Sequence, residues 1–226
     1  MTYQIVGTPF PVVICELEAG ESMTCQAGAM AWMTKNIRMN TNTGGGGLGG
    51  IFSRVMTGES LFQNRYTAER GTGSIAFRAE APGEIIAVEI NARKSIISQK
   101  GAFIAAETGV NVEIALQKSL GAGFFGGEGF ILQRFTGNGM VFLGIDGTAV
   151  DYTLDAGETM IMDTGTFAAA ENTVSVDVEM VRGLGNMVAG GEGLFNTKAT
   201  GPGKIWLQTM PLSSFAQAIL KMLPKR

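Results

Sequence analysis

The chain has 226 residues, 33 of them glycine, with 17 Lys+Arg against 20 Asp+Glu and no histidine. A 45% hydrophobic share can bury a sizeable core, and a net charge of −3 argues against a surface built to hold a phosphate backbone. Without histidine, Ser-His-Asp and Cys-His catalysis, histidine metal sites and histidine pH switches are excluded.

The start, Met1-Thr2-Tyr3-Gln4-Ile5-Val6-Gly7, has no basic region ahead of an apolar one, so neither a signal nor a transit peptide is expected. No apolar run is long enough to span a bilayer, and the expectation is a soluble, cytoplasmic chain. Cys15 and Cys25 flank Glu18-Ala19-Gly20-Glu21, a turn signal that would let the two thiols face each other across a hairpin. In a reducing compartment they are expected to stay free thiols. Further on, Ile85–Ile90, Met140–Leu143, Val174–Glu179 and Lys204–Gln208 read as strands bracketed by glycine turns. Val174, Val176 and Val178 alternate with Ser175, Asp177 and Glu179, the pattern of a strand with one buried face. After Pro211, the pair Ser213-Ser214 is read as the cap of a helix with Phe215, Ala218, Ile219, Met222 and Leu223 on one side, stopped by Pro224. Such a helix is too short to be stable alone and is expected to dock on the β body or a neighbour.

Ordered motifs recur along this frame. Gly28-Ala29-Met30, Gly101-Ala102-Phe103 and Gly165-Thr166-Phe167 form one series. Gly58-Glu59, Gly127-Glu128 and Gly191-Glu192 form a second, and Gly71-Thr72-Gly73, Gly137-Asn138-Gly139 and Gly201-Pro202-Gly203 a third. The second and third copies keep an offset of 64 residues in all three series, while the first is displaced from the second by 73, 69 and 66, as loop insertions would produce. A fourth motif joins the outer copies, Leu17-Glu18-Ala19-Gly20-Glu21-Ser22-Met23 and Leu154-Asp155-Ala156-Gly157-Glu158-Thr159-Met160. The middle copy has Asn91-Ala92-Arg93-Lys94-Ser95 instead. The reading is one β module written three times. A three-module array must cap or close its ends, and no long charged cap is visible.

Taken together, the Gly-Glu-[Ser/Thr]-Met turn, the Gly-Ala-Met step and the Gly-Gly-Glu-Gly followed by Thr-Gly-x-Gly resemble the mitochondrial-biogenesis (altered inheritance of mitochondria) family, from about Tyr3 to Pro224. That resemblance implies a fold similar to the tryptophan RNA-binding attenuation protein and a ring of three chains. The fold class expected is therefore all-β: three short double-stranded β-helix or β-sandwich units arranged as a β-prism, at 1–84, 85–148 and 149–210, with a C-terminal helix at 211–226. The localisation of the eukaryotic members does not carry over, because no transit peptide is seen.

Several motifs were weighed for chemistry. The glycine loop Thr43–Gly50 and the stretch Gly121–Gly126 both contain G-x-G-x-x-G, but neither sits in a βαβ unit, so nucleotide binding is not expected. The loops carry Ile51 and Phe52, Phe124 and Phe125, and Met187 and Val188, an apolar set suited to a hydrophobic ligand, a membrane surface or a partner, or else to packing between units. Glu59, Glu128 and Glu192, each followed six residues later by Arg65, Arg134 or Lys198, suggest salt bridges within or between units. Glu107 and Glu171 match each other, with Thr34 in the first copy. No cofactor, metal ligand set or catalytic residue emerges. The expected function is a non-enzymatic scaffold or binding protein whose first partner is itself, as a trimeric ring. The alternatives are RNA binding by fold analogy, which the acidic balance disfavours, and a carboxylate- or metal-dependent enzyme.

Overall fold

The computed structural model describes residues 1–41, 63–118, 129–180 and 195–222. Apart from one turn of 3-10 helix at Lys100–Ala102 and the helix α1 at Leu212–Met222, its regular elements are strands, and the fold is all-β. In chain order the first group is β1 (Thr2–Val6), β2 (Val12–Leu17), β3 (Ser22–Gln26), β4 (Met30–Met33), β5 (Ile37–Thr41), β6 (Gln63–Ala68) and β7 (Gly73–Arg78). The second is β8 (Gly83–Ile90), β9 (Ile96–Gln99), β10 (Phe103–Glu107), β11 (Val110–Lys118), β12 (Phe130–Gly137) and β13 (Gly139–Asp146). The third is β14 (Ala149–Leu154), β15 (Thr159–Asp163), β16 (Phe167–Glu171), β17 (Ser175–Met180), β18 (Phe195–Thr200) and β19 (Gly203–Gln208).

All the ladders are antiparallel, and one pairing scheme recurs through the three groups. The first strand of the scheme pairs with its last, as β2 with β7, β8 with β13 and β14 with β19. The third also pairs with the last, as β4 with β7, β10 with β13 and β16 with β19. Each of these third-strand ladders shifts register at the same place, between Met30 and Trp32, Phe103 and Ala105, and Phe167 and Ala169. The fifth strand lies between the second and the fourth, as β6 between β3 and β5. No group is a closed sheet. The order β5-β6-β3-β10-β13-β8 joins the first group to the second through β3 and β10, and β11-β12-β9-β16-β19-β14 joins the second to the third through β9 and β16. Left over are a four-stranded sheet, β1-β2-β7-β4, and a three-stranded one, β15-β18-β17.

The core follows this interleaving in three clusters, each drawing on adjacent groups. Tyr66 and Phe77 pack edge to face in the first, alongside Phe142 from the second group. Phe103 and Phe135 meet at 5.4 Å between ring centroids in the second, with Ala169 and Trp206 from the third. In the third, Phe130 packs on Phe167 at 6.4 Å. Burying one such ring stabilises the fold by about 1.5–3 kcal/mol, so adjacent groups are held by packing as well as by strand pairing.

The recurring polar motifs are local fasteners. In the Ala-Gly-Glu turns, Gly20 and Gly157 take positive φ (89° and 81°), and the following glutamate folds back on the backbone. Glu21 Oε2 accepts the Glu18 N–H at 2.9 Å, and Glu158 Oε2 accepts the Asp155 N–H at 2.8 Å. These turns link strands of different sheets, not the two arms of a hairpin, because β2 pairs with β1 and β7 while β3 pairs with β6 and β10. Cys15 and Cys25 are therefore not cross-strand partners; both are buried free thiols. A second fastener explains the correspondence of Thr34, Glu107 and Glu171. Thr34 Oγ1 accepts the Ser74 N–H at 3.1 Å, Glu107 Oε2 the Met140 N–H at 2.7 Å, and Glu171 Oε2 the Lys204 N–H at 3.0 Å. Each ties the end of a third strand to the start of the last one, so these side chains have a structural use.

Helix α1 departs from the capping expectation. Ser213 and Ser214 lie inside its first turn, and the Leu212 N–H donates to Asp146 Oδ2 at 2.7 Å, an acceptor from the end of β13. The Met210 N–H donates to the Asp146 carbonyl at 3.1 Å. Burial pushes the Asp146 carboxyl up from its ordinary value against the lowering effect of the Leu212 N–H.

Glu107→Ala and Glu171→Ala should each destabilise the protein by about 1.5–3 kcal/mol, the scale of a hydrogen bond to a charged group, with the Gln variants closer to wild type in urea unfolding. Burial also pushes both thiols up to about 12. At pH 8 neither Cys15 nor Cys25 should react with a thiol-disulfide reagent until denaturant is added, and rapid labelling of the native protein would contradict the buried placement.

Candidate functional site

Unpaired strand edges are the feature most able to act on another molecule, because each presents N–H and C=O groups that seek partners. The two internal joints show how such edges are used. At the first, Cys25, Thr24 and Met23 of β3 stand opposite Ala105, Ala106 and Glu107 of β10. At the second, Ser98, Ile97 and Ile96 of β9 stand opposite Ala169, Ala170 and Glu171 of β16. All four alanines are fully buried. In the first group, the position of those alanines is held by Trp32 and Met33 on β4, whose only ladder among the described residues is with β7. In the third group the counterpart of Ile97 is Ile161 on β15, whose only ladder among the described residues is with β18. Trp32 is 52% exposed, Met33 39% and Ile161 66%. Among the sheet edges of the described residues, β4 and β15 are thus the two that lack the neighbour their internal counterparts have, and both are apolar.

Polar contacts also cross the internal joints. The Thr24 hydroxyl donates to the Ala106 carbonyl at 3.3 Å, and the Gln99 amide donates to the Thr164 carbonyl at 2.9 Å. Lys94 Nζ lies 3.9 Å from Glu171 Oε1, a half-exposed pair worth at most about 1 kcal/mol.

The sequence-derived site residues distribute unevenly. The apolar loop set Ile51, Phe52, Phe124, Phe125, Met187 and Val188 lies outside the described residues, as do Glu59, Glu128 and Glu192. Arg65, Arg134 and Lys198 occupy one equivalent ladder position, opposite Thr24, Ile97 and Ile161. Arg134 Nη1 lies 3.6 Å from Glu113 on the adjacent strand, and its Nε donates to Asn172 Oδ1 of the third group at 3.0 Å. Sequence reasoning overlooked both partners; their place in the ladder is the only signal that could have found them.

A crevice of about 460 Å³ opens where the first two groups meet the start of α1. Small residues, among them Ala29, Ala79, Ala102 and Gly144, leave the space, with Arg78, Glu80, Lys100 and Asp146 on its lining. Its two acids and two bases balance, so it favours neither an anion nor a cation. Among the described residues no three of Cys, Asp and Glu converge to hold a metal ion.

The geometry has parallels. A family model described as mitochondrial biogenesis AIM24 matches residues 3–210. An uncharacterized protein of Streptococcus pyogenes serotype M6 is 31% identical over 222 residues, covering 95% of this chain and 88% of that protein. The X-ray crystal structure of a Streptococcus pyogenes protein superposes with a TM-score of 0.82 at 28% identity, covering 98% of this chain and 99% of that one.

The alanine positions of the internal joints leave no room for the bulk carried at the open edge. Ala169→Trp should cost about 1–3 kcal/mol by overpacking, whereas Trp32→Ala, at a half-exposed side chain of an isolated chain, should cost no more than about 1.5 kcal/mol. Chemical denaturation of the two variants at low protein concentration measures the contrast.

Proposed function

The chain belongs to the mitochondrial biogenesis AIM24 family, and from that premise we propose that it works as a self-assembling β scaffold, three modules per chain, in which β15 of one copy pairs with β4 of the next. The observation that carries this is the pair of leftover sheets. Set side by side, β17-β18-β15 and β4-β7-β2-β1 complete the strand order that both six-stranded sheets already have, with β1 added at the rim. Continuing the internal register places Met162 opposite Trp32 of the next copy, Ile161 opposite its Met33 and Met160 opposite its Thr34. The contact is heterologous, so it propagates until it closes, and a ring of three chains is the closure proposed. Closure removes both edges at once, which answers the aggregation hazard of an open apolar strand.

Two further features favour this reading. Ile161 is far more exposed than its internal counterpart Ile97, as expected for a residue waiting for a partner. Trp32 and Met33 are larger than the alanines they replace, so the joint between copies is chemically distinct from the joints within a chain. That difference selects copy-to-copy association over exchange of internal strands.

Cysteines introduced at Ile161→Cys and Met33→Cys test the register. Directly opposed antiparallel residues sit about 4.5–5.5 Å apart at Cα, within disulfide range, and Cys15 and Cys25 are buried away from the joint. Oxidation should link chains covalently, and native mass spectrometry of the wild-type protein should show a closed oligomer. A monomeric wild-type mass, or a double variant that forms no intermolecular bond, would overturn the proposal.

A further inference from the structure

We propose that helix α1 is an interfacial anchor that lays its apolar stripe on an anionic lipid surface. The stripe follows from spacing: Leu212, Phe215, Ala216 and Ile219 stand at i, i+3, i+4 and i+7, with Met222 one turn beyond Ala218. In a globular protein such a stripe is normally the buried one. Here Leu212, Phe215 and Ile219 are all exposed, Met222 is 83% exposed, and Leu220 beside them is 64% exposed.

The stripe continues past the helix. Met210, Leu212 and Phe215 share an apolar dimple of about 250 Å³ with Pro9, Ala81 and Pro82. Phe10, next to Pro9, is itself largely exposed. An apolar surface of this continuity marks an interaction site.

Charge identifies the partner. Beyond Pro211 the sequence carries three Lys/Arg and no Asp/Glu, in a chain whose net charge is −3. Lys221, Lys225 and Arg226 all fall within the last six residues. An apolar helical face joined to a cationic end is the combination that lies in the plane of an anionic membrane interface. The helix is 11 residues long, too short to cross a bilayer, and no described helix is long and apolar enough to do so. Asp146 holds its first turn to the β body through the Leu212 N–H, so the anchor is oriented by the fold. The inference does not depend on closure of a ring.

Flotation of the full chain with phosphatidylcholine vesicles, and with vesicles of equal parts phosphatidylcholine and phosphatidylglycerol, tests it. Wild type should float with the second and not the first, and should lose binding as NaCl is raised. Ile219→Ser with Met222→Ser should abolish flotation with little change in the thermal midpoint, since Met222 is 83% exposed and neither side chain lines the dimple. Neutralising Lys221, Lys225 and Arg226 to Gln should weaken binding by about a hundredfold. Wild type failing to float with anionic vesicles, or the double serine variant floating normally, would overturn the anchor. So would a double serine variant whose only change is a smaller native mass, because the helix would then sit between copies. A monomer that still floats would instead remove the ring and leave the anchor standing.

Discussion

An unpaired edge of an antiparallel sheet leaves its backbone N–H and C=O groups to water or to another strand, and the joints between the groups of strands are arranged around that constraint. No group of six strands satisfies itself. The second strand of one group and the third of the next complete each other, so that β3 needs β10 and β9 needs β16. Burial of Ala105, Ala106, Ala169 and Ala170 at these joints lets the backbones and the neighbouring cores approach closely. At the two ends of the series the same need is unmet, and β4 and β15 retain it.

The polar side chains that recur along the chain serve this arrangement. Glu21 and Glu158 close turns; Glu107 and Glu171 pin one strand end to the start of another. Their repetition reflects a repeated geometric demand, each accepting a backbone N–H in its own turn or strand end. Fully buried Gln133 and Thr197, which leave the Gln133 amide and the Thr197 hydroxyl without protein hydrogen bonds, occupy one ladder position in successive groups and belong to the same repeated plan.

Membership of the AIM24 family and the likeness to a Streptococcus pyogenes structure extend the architecture beyond one chain without assigning it a reaction. The scaffold proposed above needs surfaces in preference to a catalytic centre, and two kinds serve the two proposals. The open edges are directional, in backbone hydrogen bonding, and suit the identical partner proposed. The stripe of α1 is non-directional and amphipathic, and suits the fluid one proposed. Under both proposals, assembly and surface attachment draw on different groups of one molecule.

Much of this was legible in the residues. Glycine-bracketed runs placed β8, β17 and β19 to within two residues of their ends and the middle of β13, because alternation and turn chemistry are local properties. The motif offsets led to the expectation of a recurrence, since equivalent turns demand equivalent residues. The correspondence of Thr34 with two glutamates looked like a broken pattern in sequence, because a hydroxyl and a carboxylate that accept the same kind of N–H share no letter. The Gly20 turn read as a hairpin, because a sequence shows where the backbone reverses and not which sheet it enters next. What the sequence determined by itself was the all-β class and the position of these turns, from spacing and turn residues alone. Only the tertiary structure decided which strand of one module meets which strand of the next, that β4 and β15 are left open, and that Asp146 anchors a helix from far along the chain. Those are long-range choices, set by which edges and faces come together in space, and no local pattern encodes them.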